Sequence, residues 1–208
     1  MSTDGTVVRP ITPADAAGLV ALFEATGSPC YCRYLHFEGD KNDWLARCAL
    51  EPGENERELR DGLARGAADT RGIVAEDDAG TIVGWAKLTP AASVPKAYAQ
   101  RYYAGLAVLR ERRDETLLLG CFLVHPAHRR RGVARALIRG AIEEGVRAGA
   151  RFVEALPRDV APPARDEELW TGSIPALLDE GFTPVGGDTA YPVLRFDLAG
   201  DRPTSARP

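Results

Sequence analysis

The sequence predicts an α/β domain built on a mixed, mostly antiparallel sheet with helices on both faces. Three observations carry this. Residues 116–124 form a nearly unbroken apolar run, the composition of a central strand covered on both sides. That run turns through residues 129–132 into an amphipathic stretch ending near Gly149, and residues 151–156 follow as a second strand; a strand, helix, strand unit of this kind pairs its strands in parallel. Around it, residues 72–76 with 81–88, and 182–185 with 191–198, read as hairpins with antiparallel neighbours.

The elements follow in order along the chain. Residues 6–10 read as a first strand, after which Thr12 caps a helix with Pro13 at its first position. Ala16, Leu19, Val20 and Phe23 recur at three and four spacing, so this helix lays one apolar face on the sheet. Gly27-Ser28-Pro29 ends it, and an aromatic segment without a clean period runs from Cys30 to Phe37. Two short helices over 43–50 and 54–65 are separated by Pro52-Gly53, and with the aromatic segment they form the expected substrate lid. Asp77-Asp78-Ala79-Gly80 is hairpin-turn chemistry with glycine at a positive-φ position. Residues 90–113 read as an insertion with a helix around 95–103. Gly120 interrupts the central strand, as glycines do at bulges or where another backbone or a ligand comes close. Val133, Leu137 and Ala141, with Ala134, Ile138 and Ile142, make the apolar face of the next helix, opposite Arg135, Arg139 and Glu143. A last helix is expected over 167–180, stopped by Gly181.

At 208 residues the chain suits one domain with an insertion: residues 6–198 are expected to be that domain, with flexible tails at 1–5 and 199–208. A hydrophobic share of 45% and a charged share of 27% are those of a soluble globular protein. No basic segment precedes an apolar core at the start, and no apolar run approaches the ~20 residues that cross a bilayer, so a cytoplasmic protein without a membrane partner is expected. A net charge of -4 argues against a nucleic-acid partner, while the arginines between Arg110 and Arg139 suit a compact anion such as a nucleotide diphosphate. Arg101-Tyr102-Tyr103 is a candidate homodimer contact. The four cysteines lack the spacing of a disulfide framework or a paired zinc site. Cys30, Cys32 and His36 could supply three metal ligands, yet no fourth is evident; the expectation is reduced thiols packed among aromatics, and no metal.

The turn from Arg129 to Ala134 has a chemistry of its own. A strand that turns sharply into a helix leaves several N–H groups without intrahelical partners, aimed at one point beside the positive end of the helix dipole. Gly132 lets the main chain approach an anion with no side chain in the way, and Arg129, Arg130, Arg131 and Arg135 add charge. The point is a phosphate site; taken alone, the hexapeptide could also be a solvated basic cap. Its context is Cys121-Phe122-Leu123-Val124-His125-Pro126 immediately upstream. The six residues fit the pattern R/Q-x-x-G-x-G/A, and with that upstream strand and proline the chain resembles the GNAT family of acetyl-CoA-dependent N-acetyltransferases. The order of elements and the closing Gly181-Phe182 extend the resemblance over about 6–198, although the specific motif occupies only 121–135.

The resemblance implies a parallel strand pair that splays apart, with the pantetheine arm of CoA in the gap. On that carry-over the backbone of Phe122, Leu123 and Val124 contacts the pantetheine and acetyl group. The amides from Arg130 to Arg135, Val133 and Ala134 among them, hold the pyrophosphate. It implies direct transfer, in which a neutral amine of a small molecule or an amino terminus attacks the thioester carbonyl. A strand N–H stabilising the oxyanion is worth a few kcal/mol. Family members often place a tyrosine as acid four residues before the closing glycine, where this chain has Leu177. Ser173 or Cys121 could then protonate the thiolate. Glu154, a carboxylate interrupting the strand beside the splay, is the candidate base, and His125 the second; Glu154 facing solvent or an arginine is the bland alternative. Pro29-Cys30-Tyr31-Cys32 with Val83-Gly84-Trp85 resembles a bacterial subgroup with a cysteine- and aromatic-rich acceptor segment, which places Cys30, Tyr31, Cys32 and Trp85 toward the acceptor; a strand tryptophan is also commonly plain core. Two competing readings are a non-catalytic acyl-CoA-binding sensor, motivated by Leu177, and a redox or metal module built on Cys30 and Cys32.

Overall fold

A computed structural model describes residues 5–160 and 165–200. The expected tails lie, apart from Gly5, Ala199 and Gly200, outside the described residues. Seven strands form one sheet: β1 (Val7–Pro10), β2 (Gly72–Glu76), β3 (Ile82–Pro90), β4 (Thr116–Val124), β5 (Phe152–Ala155), β6 (Thr183–Gly187) and β7 (Pro192–Asp197), in the order β1-β2-β3-β4-β5-β7-β6. Only β4 and β5 pair in parallel. The helices are α1 (Ala16–Ala25), α2 (Lys41–Leu50), α3 (Pro52–Ala64), α4 (Pro95–Tyr98), α5 (Val133–Arg147) and α6 (Ile174–Asp179).

The apolar periodicity decides which face each helix covers. Val133, Leu137, Ile138 and Ala141 of α5 and Leu177 of α6 pack with Ala75, Ala86, Leu119 and Phe122 on one face of the sheet. Leu19, Leu22 and Phe23 of α1 and Leu59 and Leu63 of α3 meet Val74, Ile82 and Trp85 on the other. Residues 90–113 cover a further part of the sheet, where Val94, Tyr98, Tyr103 and Leu109 pack on Leu118 and Val193. The helix expected over 95–103 is a single turn, Pro95–Tyr98, started by Pro95 and capped at Ala99. Tyr103 is buried and Tyr102 stacks on Tyr191 with centroids 3.8 Å apart, so both rings are used within the chain.

The helix expected over 167–180 is two pieces, a 3-10 turn at Asp166–Leu169 and α6. Gly172, at φ +104, breaks it in a conformation that a side chain rarely adopts, and Ser173 restarts it with Pro175 in the first turn. No helix of the described residues is long and apolar enough to cross a membrane.

Candidate active site

The parallel pairing of β4 with β5 is short. It runs from Thr116↔Phe152 to Leu119↔Ala155 and ends there, while β4 continues to Val124 paired with β3 alone. A gap therefore opens in the sheet at Gly120, where an added Cβ would meet nothing within 4 Å. Immediately beyond, β4 bulges: Leu123 pairs with Trp85 and Gly120 with Lys87, so that Cys121 and Phe122 together oppose Ala86. Cys121 takes the left-handed conformation at φ +48. The bulge changes the side-chain alternation, sending Phe122 and Val124 toward α5 and Cys121 and Leu123 toward α1.

The bulge also turns the Phe122 N–H away from β3, and there it donates to the carbonyl of Trp170 at 2.7 Å. The Phe122 ring closes the same contact, since a Cβ on Gly172 would meet it at 3.0 Å. Residues 170–172 thus lie against the bulge beside the gap. Nothing in the sequence signals this contact, because a backbone carbonyl has no residue type. Ser173, half-buried, is the next residue along and the N-cap of α6.

The turn into α5 is built on two left-handed residues, Arg130 at φ +61 and Gly132 at φ +87. Gly132 is the N-cap, and the first bond of the helix runs from the Ala136 N–H to the Gly132 carbonyl at 2.9 Å. The amides of Val133, Ala134 and Arg135 precede that bond and point out of the helix end beside its positive dipole. Arg129 donates through Nε to the Val124 carbonyl at 3.3 Å, holding the turn against the end of β4. Arg131 is exposed. Arg135 turns elsewhere: it pairs with Asp179 and Glu180, and Arg139 reaches Glu180 at 2.7 Å, which ties α5 to α6.

Glu154 lies beneath the segment that carries Tyr98 and Val108. Its side chain is 2% exposed, and Oε2 accepts from Arg195 Nε at 3.0 Å and Nη2 at 2.6 Å. Arg195 also donates to the Val108 carbonyl and stacks over Phe152. Burial pushes the Glu154 carboxyl pKa up, against the pull of Arg195 and the Tyr98 hydroxyl. His125 lies at the surface end of β4, its Nδ1 accepting from the Ala127 N–H.

Of the residues expected to face an acceptor, Tyr31, Cys32 and Trp85 are 8%, 3% and 1% exposed, and Cys30 is half-buried. Tyr31 stacks on Phe23. Cys32 and Cys121 of the bulge belong to the same core cluster, on the face covered by α1 and α3. Arg33 and Lys87 bring positive charge toward Cys32 and converge on Asp69: Arg33 reaches Asp69 Oδ2 at 2.5 Å, and Lys87 donates to the Asp69 carbonyl at 2.8 Å. Burial pushes the His36 imidazole down to about 3, with Lys87 and Arg33 adding to it. Lys87 is the member that sequence reasoning left unused. A lysine in the middle of an apolar strand, on the same face as Trp85, was the available signal. Among the described residues no group of three or more His, Cys, Asp or Glu is placed to hold a metal ion.

Solved acetyltransferase structures share the overall fold. YncA from Salmonella typhimurium, solved with its cofactor acetyl-CoA, is 18% identical, with 98% of this chain and 100% of that one covered at a TM-score of 0.52. A GNAT-family acetyltransferase from Listeria monocytogenes is 16% identical over 92% and 94%, at 0.56. The GNAT domain of PAT from S. lividans is 22% identical over 91% and 89%, at 0.51. These likenesses establish the fold. The model of the acetyltransferase (GNAT) family matches residues 40–166, and the chain belongs to that family, an acyltransferase. No curated protein gave a significant match.

Proposed function

We propose that this protein moves an acetyl group from acetyl-CoA to a primary amine, on a small molecule or an amino terminus, by direct transfer. The observation that carries the reading is the end of β4–β5 pairing at Leu119 and Ala155, with the bulged Phe122 N–H turned toward the gap that follows. In this proposal residues 6–198 are one domain, with 90–113 as its insertion. The thioester supplies an activated acetyl carbon; the chain's part is to hold it, polarise it and manage protons.

The backbone of Phe122, Leu123 and Val124 would line the pantetheine. The turn from Arg129 through Arg131, Gly132, Val133 and Ala134 to Arg135 would take the pyrophosphate on its amides, Arg135 contributing its N–H while its side chain stays on α6. The open space at Gly120 and the left-handed Gly132 fit such a ligand. One condition follows from the Trp170 carbonyl: to polarise a thioester, the Phe122 N–H must exchange that partner for the substrate's oxygen. The residues around Gly172 then have to withdraw.

Glu154 is the proposed proton acceptor, its basicity raised by burial and limited by Arg195. Ser173 and Cys121 flank Phe122 and are the proposed donors to the leaving thiolate. Cys30, Tyr31, Cys32 and Trp85 would form the wall of the acceptor side. A second reading, a non-catalytic acyl-CoA sensor, is favoured by Leu177 at the usual acid position and by the capped Phe122 N–H.

A panel of primary amines with acetyl-CoA, read by thiol release, separates the two. Amine-dependent release above background hydrolysis is expected. Binding of acetyl-CoA without release from any amine would overturn transfer in favour of sensing, and absence of binding would remove both.

A further inference from the structure

We propose that the turn from Trp170 to Gly172 is a strap that responds to the acyl state of bound CoA, staying closed on the β4 bulge over free CoA and withdrawing for acyl-CoA. The inference rests on the donor site proposed above, and it holds whether the acyl group is then transferred or only sensed. In the closed position the strap occupies a group that would tell the two ligands apart. The Phe122 N–H donates to the Trp170 carbonyl at 2.7 Å, and in the donor site a thioester oxygen would take that same N–H.

The strap is fixed at one end and lightly held at the other. Beyond it α6 is anchored: Leu177 is fully buried, and Glu180 accepts from Arg139 at 2.7 Å and 2.9 Å. Gly172, at φ +104, is the joint between that anchor and the turn, in a conformation that glycine adopts freely. The turn is closed internally by the Gly172 N–H on the Leu169 carbonyl at 2.9 Å. It is fastened to the domain by the Phe122–Trp170 bond, by the Arg158 N–H on Thr171 Oγ1 at 3.1 Å, and by the Phe122 ring beside Gly172. The Trp170 side chain adds little, being 43% exposed, whereas Trp44 and Trp85 are buried at 8% and 1%. A segment held by few bonds and little apolar burial opens locally at low cost.

One hydrogen bond then sets the position of the strap. A neutral backbone bond shifts an equilibrium by roughly two- to tenfold, and a buried N–H left without an acceptor costs more than the bond it lost. Free CoA has no carbonyl oxygen at its thiol end, so opening over it would strand the N–H of buried Phe122. Acyl-CoA brings an oxygen that replaces the Trp170 carbonyl, which turns to water. The two ligands share their pantetheine and pyrophosphate, and a ligand moves an equilibrium only by its differential contacts with the two states. When the acyl group departs, the N–H returns to Trp170 and the strap closes on the product.

The test uses the folded protein labelled with 5-fluorotryptophan and three ligands: acetyl-CoA, CoA, and S-ethyl-CoA, which matches the acetyl group in size but carries a methylene in place of the carbonyl. Calorimetry reads binding, and fluorine NMR follows Trp170, its signal among the three tryptophans assigned with Trp170→Phe. Saturating acetyl-CoA is expected to move the Trp170 signal to a second position, while CoA and S-ethyl-CoA bind and leave it where it stands in the free protein. Gly172→Ala, strained in the closed state, is expected to bind acetyl-CoA about tenfold tighter with S-ethyl-CoA affinity within about twofold. Thr171→Val, which removes the Arg158 acceptor without backbone strain, shifts acetyl-CoA affinity the same way by about twofold. The same Trp170 shift with all three ligands, no shift with any while all bind, or unaltered acetyl-CoA affinity in both variants would overturn the strap and leave the donor site standing. Binding of none of the three would remove both.

Discussion

Replacing Glu154 by Gln separates what this carboxylate does for the fold from what it does for the reaction. The charge is 2% exposed and receives two hydrogen bonds from Arg195, whose other partner is the Val108 carbonyl. Removing one member of such a pair leaves a buried charge uncompensated, at a cost of about 3–5 kcal/mol. Glutamine keeps the shape and an acceptor oxygen, which places the loss near the lower figure, about 3 kcal/mol, or a fall of roughly 6–12 °C in Tm for a chain this size. Burial raises the folded-state pKa of Glu154 above 4.5. Separately from the pairing with Arg195, this raised value gives a pH-linked stabilisation that is fully present below pH 4.5 and declines as pH rises through the raised pKa; the variant lacks that slope. Urea and thermal unfolding measure the stability, and steady-state kinetics the chemistry. As a general base Glu154 contributes about 10²–10⁴ in kcat. The stability loss with kcat within about twofold of wild type would refute the base role and leave an anchor for Arg195 and, through it, for residues around Val108. An unchanged Tm would refute the buried-pair argument.

Three further outcomes follow. Gly132→Val forces a β-branched residue to φ +87 and sets a side chain among the cradle amides; calorimetry is expected to show acetyl-CoA affinity falling at least tenfold, and unaltered affinity would place the pyrophosphate elsewhere. Leu177→Tyr restores the usual acid type, but Leu177 is fully buried in the core under α5, so overpacking is expected to cost about 1–3 kcal/mol without raising kcat; a faster, equally stable variant would contradict this. The Asp15 carboxyl is held down to about 2 by Arg9, which also bonds Glu76; this folded value lies below the unfolded 3.8, so its stabilisation is present above 3.8 and lost as pH falls toward 2. Urea midpoints of Asp15→Asn are expected to fall less steeply than those of wild type over that acid range, and parallel slopes would count against it.

What was legible in the sequence is what periodicity and backbone chemistry encode. The bounds of β4 follow from one apolar run, the start of α5 from Gly132, and the disturbance in β4 from Gly120, the bulge falling on the next two residues. The mixed sheet follows from strand spacing and turn residues. Long-range side-chain partners were hidden: Arg195 meets Glu154 only through the β5–β7 register, and Cys32 joins Trp85 and Cys121 in one core cluster through a loop without a period. The break at Gly172 was readable in principle, as glycine followed by Ser-Ile-Pro, but the apolar spacing around it resembles one continuous helix. The Trp170 carbonyl on the Phe122 N–H left no trace in residue type.

Backbone-amide NMR during titration with acetyl-CoA tests most directly whether the opened sheet and the turn into α5 are one donor site. The account predicts the largest shifts at Phe122 to Val124 and Arg130 to Arg135, with the Phe122 amide signal moving as it leaves the Trp170 carbonyl. Saturable binding that leaves both stretches unmoved would contradict it.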